Sequence, residues 1–152
     1  MYFLCPNHRN ELTRLPQSQL SDYWLNWMLE AGNHYEEENW NAAIPFAGCS
    51  LDLTSSALQR KDVNHVDLAT EAALSTIYAT NMLAHQRQFE RASQIADIVS
   101  QRIMVMMLNT ENHSWAETCL EAINNPNRQY EFFTEYMSLP FQDSHTLRSF
   151  CA

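Results

Sequence analysis

This chain has little glycine, little positive charge and no long apolar run, and each shortage removes a class of protein. With 2 glycines in 152 residues it cannot supply the turns that an architecture of many short strands requires, so helices are favoured. Its 9 basic residues face 18 acidic ones, a formal net charge of −9, which opposes phosphate backbones and anionic membrane surfaces. Neither nucleic acid nor membrane is an expected partner. No window approaches about 18 consecutive apolar residues, so nothing is expected to span a bilayer. The start Met1-Tyr2-Phe3-Leu4-Cys5-Pro6 lacks the basic residues and apolar run of a signal peptide. Cys5, Cys49, Cys119 and Cys151 show no framework spacing and read as free thiols of a cytoplasmic protein. What is present suffices for one all-α domain over residues 1–152, whose single core needs neither disulfide nor metal.

The organising stretch runs from Trp24 to Leu53. Leu20, Trp24, Trp27, Ala31 and Tyr35 mark one face of a helix that Pro16 can open and Ser18 or Ser21 can cap. After the break Glu36-Glu37-Glu38-Asn39, a second helix capped by Asn39 or Asn41 buries Trp40, Ala43, Ile44, Ala47, Leu51 and Leu58, with Pro45 early in it. A third follows through Val66, Ala69, Ala73, Ile77, Thr80 and Leu83, and its small residues permit close helix approach. Phe89, Ala92, Ile95, Ala96, Val99, Ile103, Met106 and Met107 form the longest apolar stripe, which predicts that the fourth helix is central and most buried. Ser114-Trp115-Ala116-Glu117 has the capping-box pattern and opens a fifth helix that stops by Asn124-Asn125-Pro126. A sixth, about Asn127 to Ser138, carries Tyr130, Phe133 and Met137 on one face and ends at Pro140. Residues 1–17 read as an irregular lead-in, and 141–152 as a tail that either packs back through Phe141, Leu147 and Phe150 or frays.

Both turns carry an aromatic-x-x-Ala signature, at Trp40/Ala43 and Phe89/Ala92. With Trp27, Ala31 and Ser50 around the first, and Thr80, Leu83, Ala96 and Val99 around the second, the two helix pairs resemble tetratricopeptide repeats. His34 stands where that family usually has Tyr. The turns are 49 positions apart, Trp40 to Phe89, against about 34 in a standard repeat, which requires longer helices or connections. The resemblance implies about six helices stacked as antiparallel hairpins in a TPR-like array. It also implies a peptide-binding face made by the first helix of each pair, here Met28, Gly32, Tyr35 and Glu36 with Ile77, Tyr78, Asn81 and His85. Asn81 matches an asparagine with which the family holds peptide backbone, whereas the family's basic carboxylate clamp has no counterpart. An apolar-anchored helical or extended segment fits that face better than a free C-terminus.

Each of these features has a plainer alternative. Met28 and Ile77 can be core and Asn81 merely solvated. Glu36-Glu37-Glu38 sits at the helix end where carboxylates are disfavoured by about 0.3–1 kcal/mol each, which suits either a basic ligand or a solvated turn. Cys5 and His8 have a spacing found in zinc sites but no second pair follows. Cys49 falls inside the second helix without an apparent base. No catalytic, cofactor or metal set emerges, and the chain reads as a non-enzymatic interaction module of the adaptor, chaperone or regulatory kind that binds a protein or peptide segment. Two competing classes remain: a ligand sensor or enzyme with His34, Tyr35 and His85 converging between the hairpins, and a self-assembling protein. The second of these would bury aromatics among Trp24, Trp115, Tyr130, Phe132, Phe133, Tyr136 and Phe141 in a homodimer.

Overall fold

The computed structural model describes residues 3–111 and 113–143. Among them are seven helices and no strand: α1 (Pro6–Leu12), α2 (Gln17–Glu36), α3 (Trp40–Ala57), α4 (His65–His85), α5 (Phe89–Leu108), α6 (His113–Asn124) and α7 (Pro126–Tyr136). Successive helices pack on one another from α2 to α7, and α4 also touches α2, α6 and α7.

The lead-in is therefore not wholly irregular. Pro6 presets the first helical turn of α1, and the Cys5 sulfur accepts from the His8 N–H. A helix of 7 residues is too short to show a period. Helix α2 begins directly after Pro16 without a side-chain cap, so neither Ser18 nor Ser21 caps it. The Ser21 hydroxyl instead donates to Glu71 on α4 at 2.7 Å. Asn39 does cap α3, accepting from the Ala42 N–H. Ser114 lies inside α6 and not ahead of it, so the capping box is not formed there. On α7 the buried face is Gln129, Phe132 and Phe133, while Tyr130 is half exposed.

The central helix is α4, not α5. Nearly every residue of α4 from Leu68 to Ala84 is buried, whereas α5 buries only Ala92, Ile95, Val99, Ser100, Ile103 and Met106. A sharp apolar stripe marks a helix covered on one side, and a helix without a polar face is covered all round. Alanines at 69, 72, 73, 79 and 84 keep α4 thin enough for several neighbours. Its buried hydroxyls are satisfied internally: Ser75, Thr76 and Thr80 each donate to the carbonyl four residues back.

The two turns have the same construction. Glu38 (φ 55°) and Arg87 (φ 59°) adopt the left-handed conformation, and the helix ends are closed by paired bonds. Asn39 N–H donates to His34 O and Glu38 N–H to Tyr35 O; Gln88 N–H donates to Leu83 O and Arg87 N–H to Ala84 O. This is the Schellman pattern, usually built on glycine. The 49 positions from Trp40 to Phe89 are filled by α3 of 18 residues, the connection at 58–64, α4 of 21 residues and the turn at 86–88.

One buried carboxylate ties the N-terminal segment to this frame. Asp52, 1% exposed, accepts from the Phe3 and Leu4 N–H groups at 3.0 Å each. It also pairs with Arg102 of α5 at 3.4 Å. Phe3 lies directly on the α3 backbone at Gly48, where a Cβ would come within 2.3 Å of its ring.

Two stability predictions follow from these local geometries. Asp52→Ala removes an acceptor shared by two backbone donors and a guanidinium, so it should lower the unfolding free energy by about 2–4 kcal/mol in urea titration. An unchanged midpoint would show that the carboxylate does not hold the segment. Glu38→Gly relieves a left-handed β-carbon and should raise stability by about 0.5–1 kcal/mol, read as a higher melting temperature.

Candidate functional site

Of the face anticipated from the helix pairs, Tyr35, Tyr78, Asn81 and His85 come together. Their meeting follows from the packing of α2 beside α4. Tyr35 stacks on Tyr78 with ring centroids 5.0 Å apart. Trp40, the turn aromatic, meets Tyr35 edge-on at 4.8 Å and stacks on His85 at 4.4 Å. The Tyr35 hydroxyl donates to Asn81 Oδ1 at 2.5 Å and lies 3.3 Å from His85 Nε2. Met28 and Ile77 are fully buried in the core, and Glu36 is exposed on the rim.

The face is occupied by the chain itself. Beyond α7 the backbone leaves in an extended conformation at Met137, bends at Leu139 and crosses the α2–α4 seam. The Tyr78 hydroxyl donates to Pro140 O at 2.8 Å, Asn81 Nδ2 donates to Gln142 O at 2.6 Å, and the Gln142 N–H donates to the Tyr35 oxygen at 2.9 Å. Asn81 and Tyr35 thus engage both the N–H and the C=O of one residue, as a neighbouring strand does in a ladder. Leu139 lies on Gly32, where a Cβ would approach its side chain to 2.9 Å. Phe141 stacks on Phe133 at 4.5 Å and on Tyr78 at 6.2 Å. The tail therefore packs back through Phe141; Leu147 and Phe150 lie outside the described residues.

Burial sets the proton chemistry of this cluster. It pushes the Tyr35 phenol up to about 12, against a smaller opposing effect of the Gln142 N–H, with Glu38 adding to the rise. The Tyr78 phenol is raised as well, again chiefly by burial. His85 is lowered by burial, partly offset by Glu38. At neutral pH the two phenols are held as donors and the imidazole is uncharged. Such a set grips peptide groups and offers no ready nucleophile.

The other candidate residues go elsewhere. His34 stacks on Phe46 of α3 at 5.7 Å. Cys49 is half-buried in α3, its thiol raised to about 11 by burial and by Asp52. Cys119 is buried and raised to about 12. Among the described residues no group of three or more His, Cys, Asp or Glu side chains could hold a metal ion. No helix among them is long and apolar enough to cross a membrane. Phe132, Phe133 and Trp24 are buried, while Tyr130 and Tyr136 are about half exposed. A hollow of about 430 Å³ beside Arg60, Lys61 and His65 lies apart from the tyrosines. Its Arg60 is already engaged by Asp62 and by the carbonyls of Thr13 and Leu15.

Two contributors escaped the sequence reading. Glu38 is the carboxylate that Tyr35 and His85 feel, whereas the face had been assigned Glu36. The tail was expected either to pack back through Phe141 or to fray, and the larger omission was the part played by Leu139, Pro140 and Gln142 on this face. Their only local signal was Pro140 followed by an aromatic, which marks an extended stretch without saying where it docks. Against known proteins, the chain matches no family model, no curated protein and no solved structure.

At the opposite end of the same seam Glu71 bonds Ser21, and the Glu71 carbonyl accepts from Trp24 Nε1 at 3.1 Å. Burial drives its carboxyl from the ordinary 4.5 up to about 7, opposed by the Ser21 hydrogen bond. Folding therefore favours the protonated form. Its contribution is most favourable below pH 4.5, is lost as the pH rises to about 7, and is constant above that. Glu71→Gln should remove this slope, so urea titrations at pH 5 and pH 8 should differ less for the variant than for the wild type. An identical pH dependence would assign the slope to other groups.

Proposed function

We propose that this chain is a non-enzymatic protein-interaction module, built like a short tetratricopeptide array, that holds an extended partner segment against α2 and α4. The observation that carries this reading is the treatment of the backbone at Pro140 and Gln142. Tyr78, Asn81 and Tyr35 bond one carbonyl, then the N–H and carbonyl of the residue two further on. Groups that read the main chain in this way accept many sequences, and strand-like capture is a recurring mode of peptide recognition. An adaptor, chaperone or regulatory protein needs such tolerance. The exposed Glu36, Glu37 and Glu38 at the rim favour a segment that carries a basic residue beyond its anchors.

The contact between Tyr35 and His85 gives the rival reading, a small-ligand site or enzyme, its best support. Against it, the phenols are held protonated, and the polar atoms of Tyr35 and Asn81 are spent on each other and on the peptide groups of Gln142. Capture of partners from the source cell with wild type, Asn81→Ala and Tyr35→Ala is the direct test. Each variant should lose the specific partner by at least about fivefold, the equivalent of one hydrogen bond. If every specific partner bound both variants unchanged, the groove assignment would be wrong.

A further inference from the structure

We infer that the α2–α4 groove takes, in trans, an extended segment of the pattern Leu-x-aromatic-x, and that the chain's own Leu139–Gln142 holds the groove until such a segment displaces it. This rests on the peptide-binding function proposed above and adds to it the side-chain pattern of the ligand and an internal competitor.

The pattern comes from which side chains of the strap touch the core. The chain bends at Leu139, and Leu139 and Phe141 are its two side chains packed against the hydrophobic core. Leu139 packs closely on α2 at Gly32, where a β-carbon would stand 2.9 Å from the leucine methyl and force it to shift. Phe141 is received by a shelf of rings, Phe133 at 4.5 Å, Tyr130 at 6.1 Å and Tyr78 at 6.2 Å. The other two positions contribute backbone groups. Pro140 contributes a carbonyl, and Gln142 contributes its N–H and C=O while its side chain is exposed.

None of these contacts needs the segment to be covalently attached. Helix α7 is fixed to the core by Phe132 and Phe133, both buried, and it ends at Tyr136. Only Met137 and Ser138 join it to the strap. The strap can leave while α7 stays, and the vacated site then presents the same donors, glycine socket and ring shelf to a segment of like pattern. An intramolecular occupant lowers the apparent affinity for an external one by the fraction of molecules in which the groove is free.

The test uses the full chain and a fluorescently labelled peptide of its own residues 137–143, with binding read by anisotropy. Leu139→Ser/Phe141→Ser weakens the strap through its anchors. Gln142→Pro weakens it by deleting one N–H at an exposed residue, and decides the matter alone if the double variant does not fold. The double variant should bind the peptide at least about tenfold more tightly than wild type, and Gln142→Pro about three- to fivefold. Adding Asn81→Ala should abolish both gains, and peptides carrying Ala in place of the Leu or the Phe should bind less well. Equal affinity in wild type and both strap variants overturns the inference. If that shared affinity is lost with Asn81→Ala, the groove still binds peptide and only the competition is wrong; if nothing binds, the peptide-binding function falls too. Dimers of the double variant in light scattering, with peptide binding blocked, would also overturn it, because the groove would then be covered by a second copy that lacks the Leu-x-aromatic-x pattern.

Discussion

A helix sheathed on every side must satisfy each of its polar side chains from its own backbone or its immediate neighbours, because no water reaches it. Helix α4 meets this demand in two ways. Its serines and threonines turn back onto carbonyls of the preceding turn. Asn81, 1% exposed, has a donor and an acceptor pointing away from the helix, and a buried primary amide cannot be left unpaired without costing about 1–3 kcal/mol. Tyr35 supplies the donor for its oxygen, and the Gln142 carbonyl takes its N–H. The position of the C-terminal strap is therefore tied to the burial of the central helix.

The same constraint explains where the chain spends its glycines. It has 2, both inside helices, where glycine costs about 1 kcal/mol relative to alanine. Neither serves a turn; the two left-handed turn positions are occupied by Glu38 and Arg87. Gly32 instead receives Leu139, and Gly48 receives Phe3. Each is the spot where a segment from one end of the described chain lies flat on a helix of the first pair. The helices alone leave two seams open, and the glycines admit the segments that cover them.

How much of this could be read from the sequence follows from the range of the forces involved. Helices α2 to α5 were legible because their apolar spacing repeats over four or more turns, and the cap at Asn39 because capping is a local bond. Helix α1 was missed because 7 residues carry no period. The central helix differs from the expected one for a reason of pattern: a stripe such as that on α5 marks one covered face, whereas the all-round small residues of α4 mark a core. For the site, Tyr35, Tyr78, Asn81 and His85 were reachable from the matching positions of two turns. Their occupant was not, since Tyr35 and Gln142 meet across 107 positions and nothing near Pro140 encodes its destination. The acidic residue that reaches the cluster is Glu38 and not Glu36 because the left-handed turn re-aims the chain two residues beyond the point where helical register stops applying.

Magnitudes decide what kind of contact the strap makes. It is held by three neutral hydrogen bonds to tyrosine and asparagine side chains, each contributing about 1 kcal/mol net. Partial burial of one leucine and one phenylalanine adds about 1–2 kcal/mol each. Ordering the four residues from Leu139 to Gln142 opposes this by about 1–2 kcal/mol per residue of backbone. Gain and loss are of similar size, so the strap is held by a small surplus, on the order of 1–2 kcal/mol, that leaves the groove free in roughly a tenth of the molecules, while the helical core beneath it, with Tyr78 and Phe133 fully buried, is held far more firmly. A segment so held covers the polar groups of Tyr78, Asn81 and Tyr35 at modest cost. The seam between α2 and α4 thus combines a firmly fixed set of donors with an occupant held by a few weak contacts.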